Sequence, residues 1–252
     1  MKFNIKRDYL ALDFDGVVVN SVEECLVVAY NAFAEYFHGR KVNSVNEVEP
    51  ETVLTFKQLR NFIRSGADFV YIILAISENM NINNQQEFDD FTNKYEDLRN
   101  TFFDLFYLER ESFFTQKPES WIKLNPLYDG LNEFLSSYPY KERLYIITTK
   151  KIFFVKKILS FYGIQLIKNN LFTADDKKNK KDIIQELLSN HKISPQRFWF
   201  VDDQIDTLLK VKDSFIHCFL AEWGYNDEQQ INKGKKENIE IITLKDFRNK
   251  FI

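Results

Sequence analysis

Cysteine and histidine are scarce in this 252-residue chain: Cys25 and Cys218 stand with three scattered histidines, His38, His191 and His217. None falls in a CxxC or HxxxH spacing, which excludes the usual zinc-holding arrangements, and so few thiols fit a reducing cytoplasm as the expected location. Positive charge is not in excess either. With 34 Lys and Arg against 37 Asp and Glu the formal net charge is −3, so the broad basic field that gathers nucleic-acid backbones is missing and no nucleic-acid partner is expected. The most hydrophobic stretch, Phe69 to Ile76, is far shorter than the ~20 residues of a membrane-spanning helix, so no membrane association is expected. The apolar part of the opening MKFNIKRDYLALDFDG meets Asp13 and Asp15 before an export-signal core is complete, and no export signal is expected. No repeat period is evident.

What is present is ordinary for a folded protein: 44% hydrophobic and 28% charged residues, in a length that buries one sizeable core or a core with a smaller satellite. Tyr9 to Phe14 is a short, nearly continuous apolar run ended by Asp-Gly, the pattern of a strand buried on both faces. Similar runs recur at Arg143 to Thr148, Arg197 to Asp202 and Phe215 to Leu220. Helical patterning separates them, at Tyr128 to Tyr138, Lys151 to Tyr162, Lys180 to Asn190 and Ile205 to Asp213. This alternation predicts an α/β fold, a Rossmann-like, doubly wound parallel sheet. Ser21 to about Ser120 breaks the rhythm. It is rich in Phe and Asn and reads as all helix, near 21–38, 52–64, 67–79 and 85–115, inserted after the first strand. The expected organisation is a core domain of residues 1–19 and 121–252 and a helical domain of residues 20–120.

Four elements carry chemistry. Asp13 and Asp15 are two residues apart, so both carboxylates can leave the end of the strand on one side, and Gly16 permits a sharp exit. Ligands of open α/β sheets gather at this carboxyl edge of the strands. Thr148 and Thr149 end another buried run with hydroxyls able to donate to phosphoryl oxygens, although Thr in that place also caps helices. Asp202 and Asp203, with Asp206 beyond, form an acidic cluster at a third strand end, suited to a hard cation that prefers oxygen ligands. Lys177, Lys178, Lys180 and Lys181 precede a helix, where one of them could neutralise a phosphate and the crowded carboxylates.

The order Asp-x-Asp-Gly, then Thr, then Lys, then an Asp pair resembles the haloacid dehalogenase superfamily, over the first strand and from about Tyr128 to Tyr225. The resemblance implies that Asp13 is a nucleophile and Asp15 a general acid and base whose backbone carbonyl also touches Mg2+. It implies that Thr148 binds the phosphoryl group and that Asp203 is a Mg2+ ligand, with either Asp202 or Asp206 assisting. Lys180 is favoured as the charge-stabilising lysine, with Lys178 as the alternative. Trp223-Gly224-Tyr225 is similar to a Trp-Gly-Tyr found in phosphoglycolate-phosphatase-like members, and the helical insertion resembles their C1 cap. The implied activity is Mg2+-dependent hydrolysis of a small-molecule phosphate monoester. Thr149 and Gly16 are then expected to line the substrate, as are Arg60 and Arg64 if one helix from Gln58 to Ser65 carries both one turn apart.

Three other readings keep the same residues. A receiver-type phosphoacceptor module shares the Asp, Thr and Lys set but is about half this length and has no insertion. A phosphomutase shares the whole site, and a binding or regulatory protein could retain the fold without turnover, since Val17 replaces the Thr frequent after Asp-Gly in the phosphatases. The sequence names neither the ester nor the oligomeric state, and a homodimer is left open.

Overall fold

Tyr9–Leu12 forms the first strand, β1, its first residue half-buried and the next three fully buried. The protein is described from a computed structural model over residues 2–175 and 177–251, so Asp176 of the acidic and basic run at 175–182 lies outside the described residues. After β1 come six helices: α1 (Val22–Tyr36), α2 (Pro50–Leu59), α3 (Gly66–Ser77), α4 (Gln85–Lys94), α5 (Arg99–Gln116) and α6 (Pro118–Lys123). The alternating part then follows as α7 (Leu131–Ser137), β2 (Leu144–Thr148), α8 (Ile152–Phe161), β3 (Leu171–Thr173), α9 (Lys180–Asn190) and β4 (Phe198–Asp202). It ends with α10 (Ile205–Lys212), β5 (His217–Ala221), α11 (Glu228–Lys236), β6 (Glu240–Ile242) and α12 (Leu244–Phe251). Among the described residues no helix is long and apolar enough to cross a membrane.

The chain divides into two compact units, Met1–Asn20 with Pro126–Ile252, and Ser21–Asn125. In the first, six parallel strands lie in the order β3-β2-β1-β4-β5-β6. The chain runs outward from β1 to β3, returns, and runs outward again on the other side, so the order reverses between β1 and β4, where doubly wound sheets open a crevice at their carboxyl edge. β2 and β4 are buried at every residue, which is why they read as unbroken apolar runs. Because side chains alternate across a strand, Ala11, Tyr145, Ile147, Phe198, Phe200, Cys218 and Leu220 share a core with Ile183, Ile184 and Leu187 of α9 and with Leu208 and Val211 of α10. Trp199 belongs to the opposite face. Its ring stacks on Phe219 at 5.4 Å and meets Phe3 and Phe251 edge-on.

β3 and β6 have no counterpart among the expected strands. Each is only three residues long, so neither makes an apolar run long enough to stand out, and their places come from pairing with β2 and β5. The chain leaves and re-enters this unit side by side: Asn20 N–H donates to the Pro126 carbonyl at 2.8 Å, and Tyr128 N–H to that of Val18 at 3.1 Å.

The second unit is helical and contains α6 as well, ending at Asn125, five residues beyond the expected boundary at 120. Inside it the Glu24 carboxylate, fully buried, accepts two bonds from Arg110, at 2.9 and 3.0 Å, and one from Trp121 Nε1 at 2.9 Å. This ties α1, α5 and α6 together through a bidentate pair whose burial is tolerated because its hydrogen bonds are satisfied. Phe102 and Phe106 pack in this unit's core, whereas Phe103 is exposed.

Two expected helices are broken. The run 85–115 is α4 and α5 with a 3-10 turn between them, because the Tyr71 hydroxyl draws off the Tyr95 carbonyl at 2.7 Å. The helix expected from Gln58 to Ser65 passes from α2 into a 3-10 turn at Arg60–Phe62 and becomes extended at Ile63. There Asp68 Oδ2 accepts from the backbone N–H of both Arg64 and Ser65 at 2.8 Å, starting a new helix and pulling the chain out of the old one.

Three non-glycine residues of the α/β unit, Lys192, Phe215 and Asn238, have left-handed backbone. Phe215, in the turn between α10 and β5, has φ of +58° and is 79% exposed. A left-handed conformation costs an L-residue about 1–2 kcal/mol, and an exposed ring recovers little of that by packing. Phe215→Gly is expected to raise the chemical-denaturation midpoint and Phe215→Ala to leave it near the wild-type value. A lower midpoint for the glycine variant contradicts this.

Candidate active site

The register carries the site. Leu12 is level with Ile146 of β2 and Val201 of β4, so Asp13 emerges beside Asp202, and its N–H donates to the Val201 carbonyl at 2.9 Å. Asp13, Asp202 and Asp203 are buried, and one carboxylate oxygen from each lies within 4.8 Å of the others. Lys180, the first residue of α9, sets its ammonium between two of them, 2.9 Å from Asp13 Oδ2 and 2.7 Å from Asp202 Oδ2. Its place is fixed by a reciprocal cap in which the Asn179 side chain accepts from Asp182 N–H and the Asp182 side chain from Asn179 N–H. Lys178 instead pairs with Glu186 and Lys181 with Asp213. Asp206 pairs with Lys233 at 2.8 Å and is not in the carboxylate cluster.

Two glycines make room for Asp203. A Cβ on Gly16, whose φ is +89°, would meet Asp203 Oδ2 at 2.1 Å, and one on Gly224 would meet Asp203 Cβ at 2.2 Å. Gly16 therefore serves the turn and the close approach of Asp203. Tyr225 N–H donates to Asp203 Oδ2 at 2.7 Å, and Trp223 Nε1 donates to the Val17 carbonyl at 3.1 Å. Trp223-Gly224-Tyr225 thus braces both Asp203 and the loop that leaves β1.

Thr148 is buried at the end of β2, and its Oγ1 accepts from Lys150 N–H at 3.1 Å. A hydroxyl that accepts there still has its own proton to donate, as to a phosphoryl oxygen. Thr149 is exposed. Lys150 is buried, and its Nζ lies 2.8 Å from Asp15 Oδ1. Sequence reasoning passed over Lys150. The available signal was its place in Thr-Thr-Lys at the end of a buried strand.

Arg60 and Arg64 belong to the helical unit and do not share a helix face. Arg60 is buried with its guanidinium 4.9 Å from the centre of the Phe69 ring. Arg64 donates to the carbonyls of Asn61 and Ile63 at 2.8 and 2.9 Å.

The electrostatics follow from burial. Burial pushes Asp13 up from its ordinary 3.8 to about 7, against Lys180 and with help from Asp202 and Asp15. Burial also works against the charge on Lys180, but Asp13 and Asp202 hold its pKa above the usual lysine value. Four carboxylates, Asp13, Asp15, Asp202 and Asp203, face two ammoniums, Lys150 and Lys180. The buried oxygen-only donor set of Asp13, Asp202 and Asp203 suits one hard divalent cation such as Mg2+.

The sign of the pH effect follows. Below 3.8 Asp13 is protonated whether folded or not; between 3.8 and about 7 only the folded site keeps the proton; above that the full cost of ionising the buried group is present. In EDTA, Asp13→Asn is therefore expected to melt higher than wild type near pH 8, with the gap narrowing towards about pH 4. A difference independent of pH contradicts this.

A family model described as a haloacid dehalogenase-like hydrolase matches residues 8–209. Solved structures share the fold at low identity. One is a predicted phosphoglycolate phosphatase from Haemophilus somnus, with TM-score 0.63 and 14% identity, over 94% of this chain and 93% of that one. Another is a haloacid dehalogenase-like family protein from Streptococcus pneumoniae, with TM-score 0.59 and 14% identity, over 96% and 95% of the two chains. A third is a hydrolase of the family from Deinococcus radiodurans with bound phosphate and sodium, with TM-score 0.57 and 13% identity, over 95% and 92%. No curated protein matches by sequence.

Proposed function

Because this chain belongs to the haloacid dehalogenase-like hydrolase family, we propose that it is a Mg2+-dependent phosphatase acting on a small-molecule phosphate monoester. One observation carries the reading: Asp13 and Asp15, two residues apart at the end of β1, are each met by a separate ammonium, Lys180 at 2.9 Å and Lys150 at 2.8 Å. This gives two like carboxylates different surroundings, and so different work. The hydrolase with bound phosphate from Deinococcus radiodurans and the predicted phosphoglycolate phosphatase from Haemophilus somnus support phosphate as the group handled.

In this mechanism a carboxylate oxygen of Asp13 attacks phosphorus, the ester P–O bond breaks, and Asp15 gives its proton to the departing alkoxide. The product of this half is an aspartyl-phosphate on Asp13. Asp15 then takes a proton from water as the water attacks phosphorus, and the bond to Asp13 breaks to release inorganic phosphate. Thr148 donates its hydroxyl proton to a phosphoryl oxygen, and Lys180 offsets the negative charge gathered around Asp13. Asp13, Asp203, Asp202 and the Asp15 carbonyl would hold Mg2+, which supplies charge neutralisation at the phosphoryl group. The helical unit takes the family's role of a specificity-setting cap.

The test is release of inorganic phosphate from a broad panel of phosphate esters, with and without Mg2+. Metal-dependent release by the wild type is expected, falling by about 10³-fold or more in Asp13→Asn. No release from folded wild type under any condition, or undiminished release by the variant, overturns the reading.

A further inference from the structure

Lys150 is a second cation in the site, outside the set that the order of motifs in the sequence brings forward. Its side chain is 2% exposed, and ordering and burying a lysine is costly: side-chain entropy alone is up to about 2 kcal/mol, with desolvation of the ammonium added. Its backbone is held at both ends. Thr148 Oγ1 accepts its N–H at 3.1 Å, and Thr173 Oγ1 donates to its carbonyl at 3.3 Å. Thr148 and Thr173 are register partners at the ends of β2 and β3, so the two strands fix where the ammonium emerges. It emerges 2.8 Å from Asp15 Oδ1. Lys180 is engaged with Asp13 and Asp202, and Lys150 with Asp15.

Building on the phosphatase reading above, we infer that Lys150 is a positioning residue for Asp15. By holding Oδ1 it fixes the orientation of the carboxylate for the proton transfers. Asp15 lies beyond the end of β1 with its side chain 18% exposed, so the strand ladder does not set its rotamer, and a general acid misplaced by a fraction of an ångström loses efficiency. A lysine that only balanced charge would affect every ester alike. One that orients the acid matters most where the leaving oxygen needs a proton.

The test compares an alkyl phosphate drawn from the panel that the wild type hydrolyses with p-nitrophenyl phosphate, whose leaving group departs without protonation. It reads kcat/KM, which covers the steps up to release of the alcohol. For Lys150→Met the alkyl ester is expected to lose about 100-fold and the aryl ester about threefold or less. Lys150→Arg keeps the charge but brings a planar fork, and should give an intermediate ratio of the two losses. Melting curves check that both variants fold; if the methionine variant does not, the arginine variant carries the comparison. Equal losses on the two esters, or none on either, overturn the assignment. A wild type that releases phosphate from no ester fails the phosphatase reading itself, and Lys150's role with it. That outcome is distinct from an active wild type indifferent to Lys150.

Discussion

Crowding of carboxylates at one edge of a sheet is the constraint on which the rest of this structure depends. Asp13, Asp202 and Asp203 place oxygens within 4.8 Å of one another out of water, an arrangement that repels itself unless cations are built in. Lys180 is the cation between Asp13 and Asp202, Lys150 meets Asp15 beside them, and each is delivered by ordinary local structure. A reciprocal cap at Asn179 and Asp182 starts α9 with Lys180 in place. Two threonine hydroxyls grip the backbone of Lys150. The oxygen-only donors around Lys180 are of the kind that suits a hard divalent cation.

The sheet makes this crowding possible. Its order reverses between β1 and β4, so the two strand ends that carry the acids are neighbours while the crossovers on either side diverge, leaving their edge open. Fully buried strands β2 and β4 hold the register that sets Asp13 beside Asp202. The loop after β5 then closes round Asp203 and is tolerated there only because positions 16 and 224 lack side chains. Packing, register and electrostatics thus converge on the same few atoms.

Much of this was legible in the sequence, for physical reasons. Buried parallel strands write unbroken apolar runs, so Tyr9–Leu12, Leu144–Thr148, Phe198–Asp202 and His217–Ala221 stood out within a residue or two, and with them the doubly wound fold. The acids and Thr148 stood out because each sits where such a run stops, and the lysine run because it opens a helix. The three-residue strands at Leu171–Thr173 and Glu240–Ile242 did not, since at that length tertiary pairing decides and pattern does not. The helix assumed to carry Arg60 and Arg64 failed because a side chain further on, Asp68, competes for the backbone at 64 and 65. Lys150 went unnoticed because its partner is 135 residues away in sequence, a separation that only the register of β1 against β2 brings together.

The central claim is that Asp13 carries the phosphoryl group between the two halves of the reaction. The most direct measurement is to expose the Asp15→Asn variant, slowed in the second half, to p-nitrophenyl phosphate and Mg2+, quench it in acid, reduce with borohydride and map the peptides by mass. An acyl phosphate is reduced to an alcohol where a free carboxylate is not, so the account predicts that mass change at position 13 alone, dependent on ester and metal. Nitrophenol release with position 13 unmodified, or modification at another carboxylate, contradicts it.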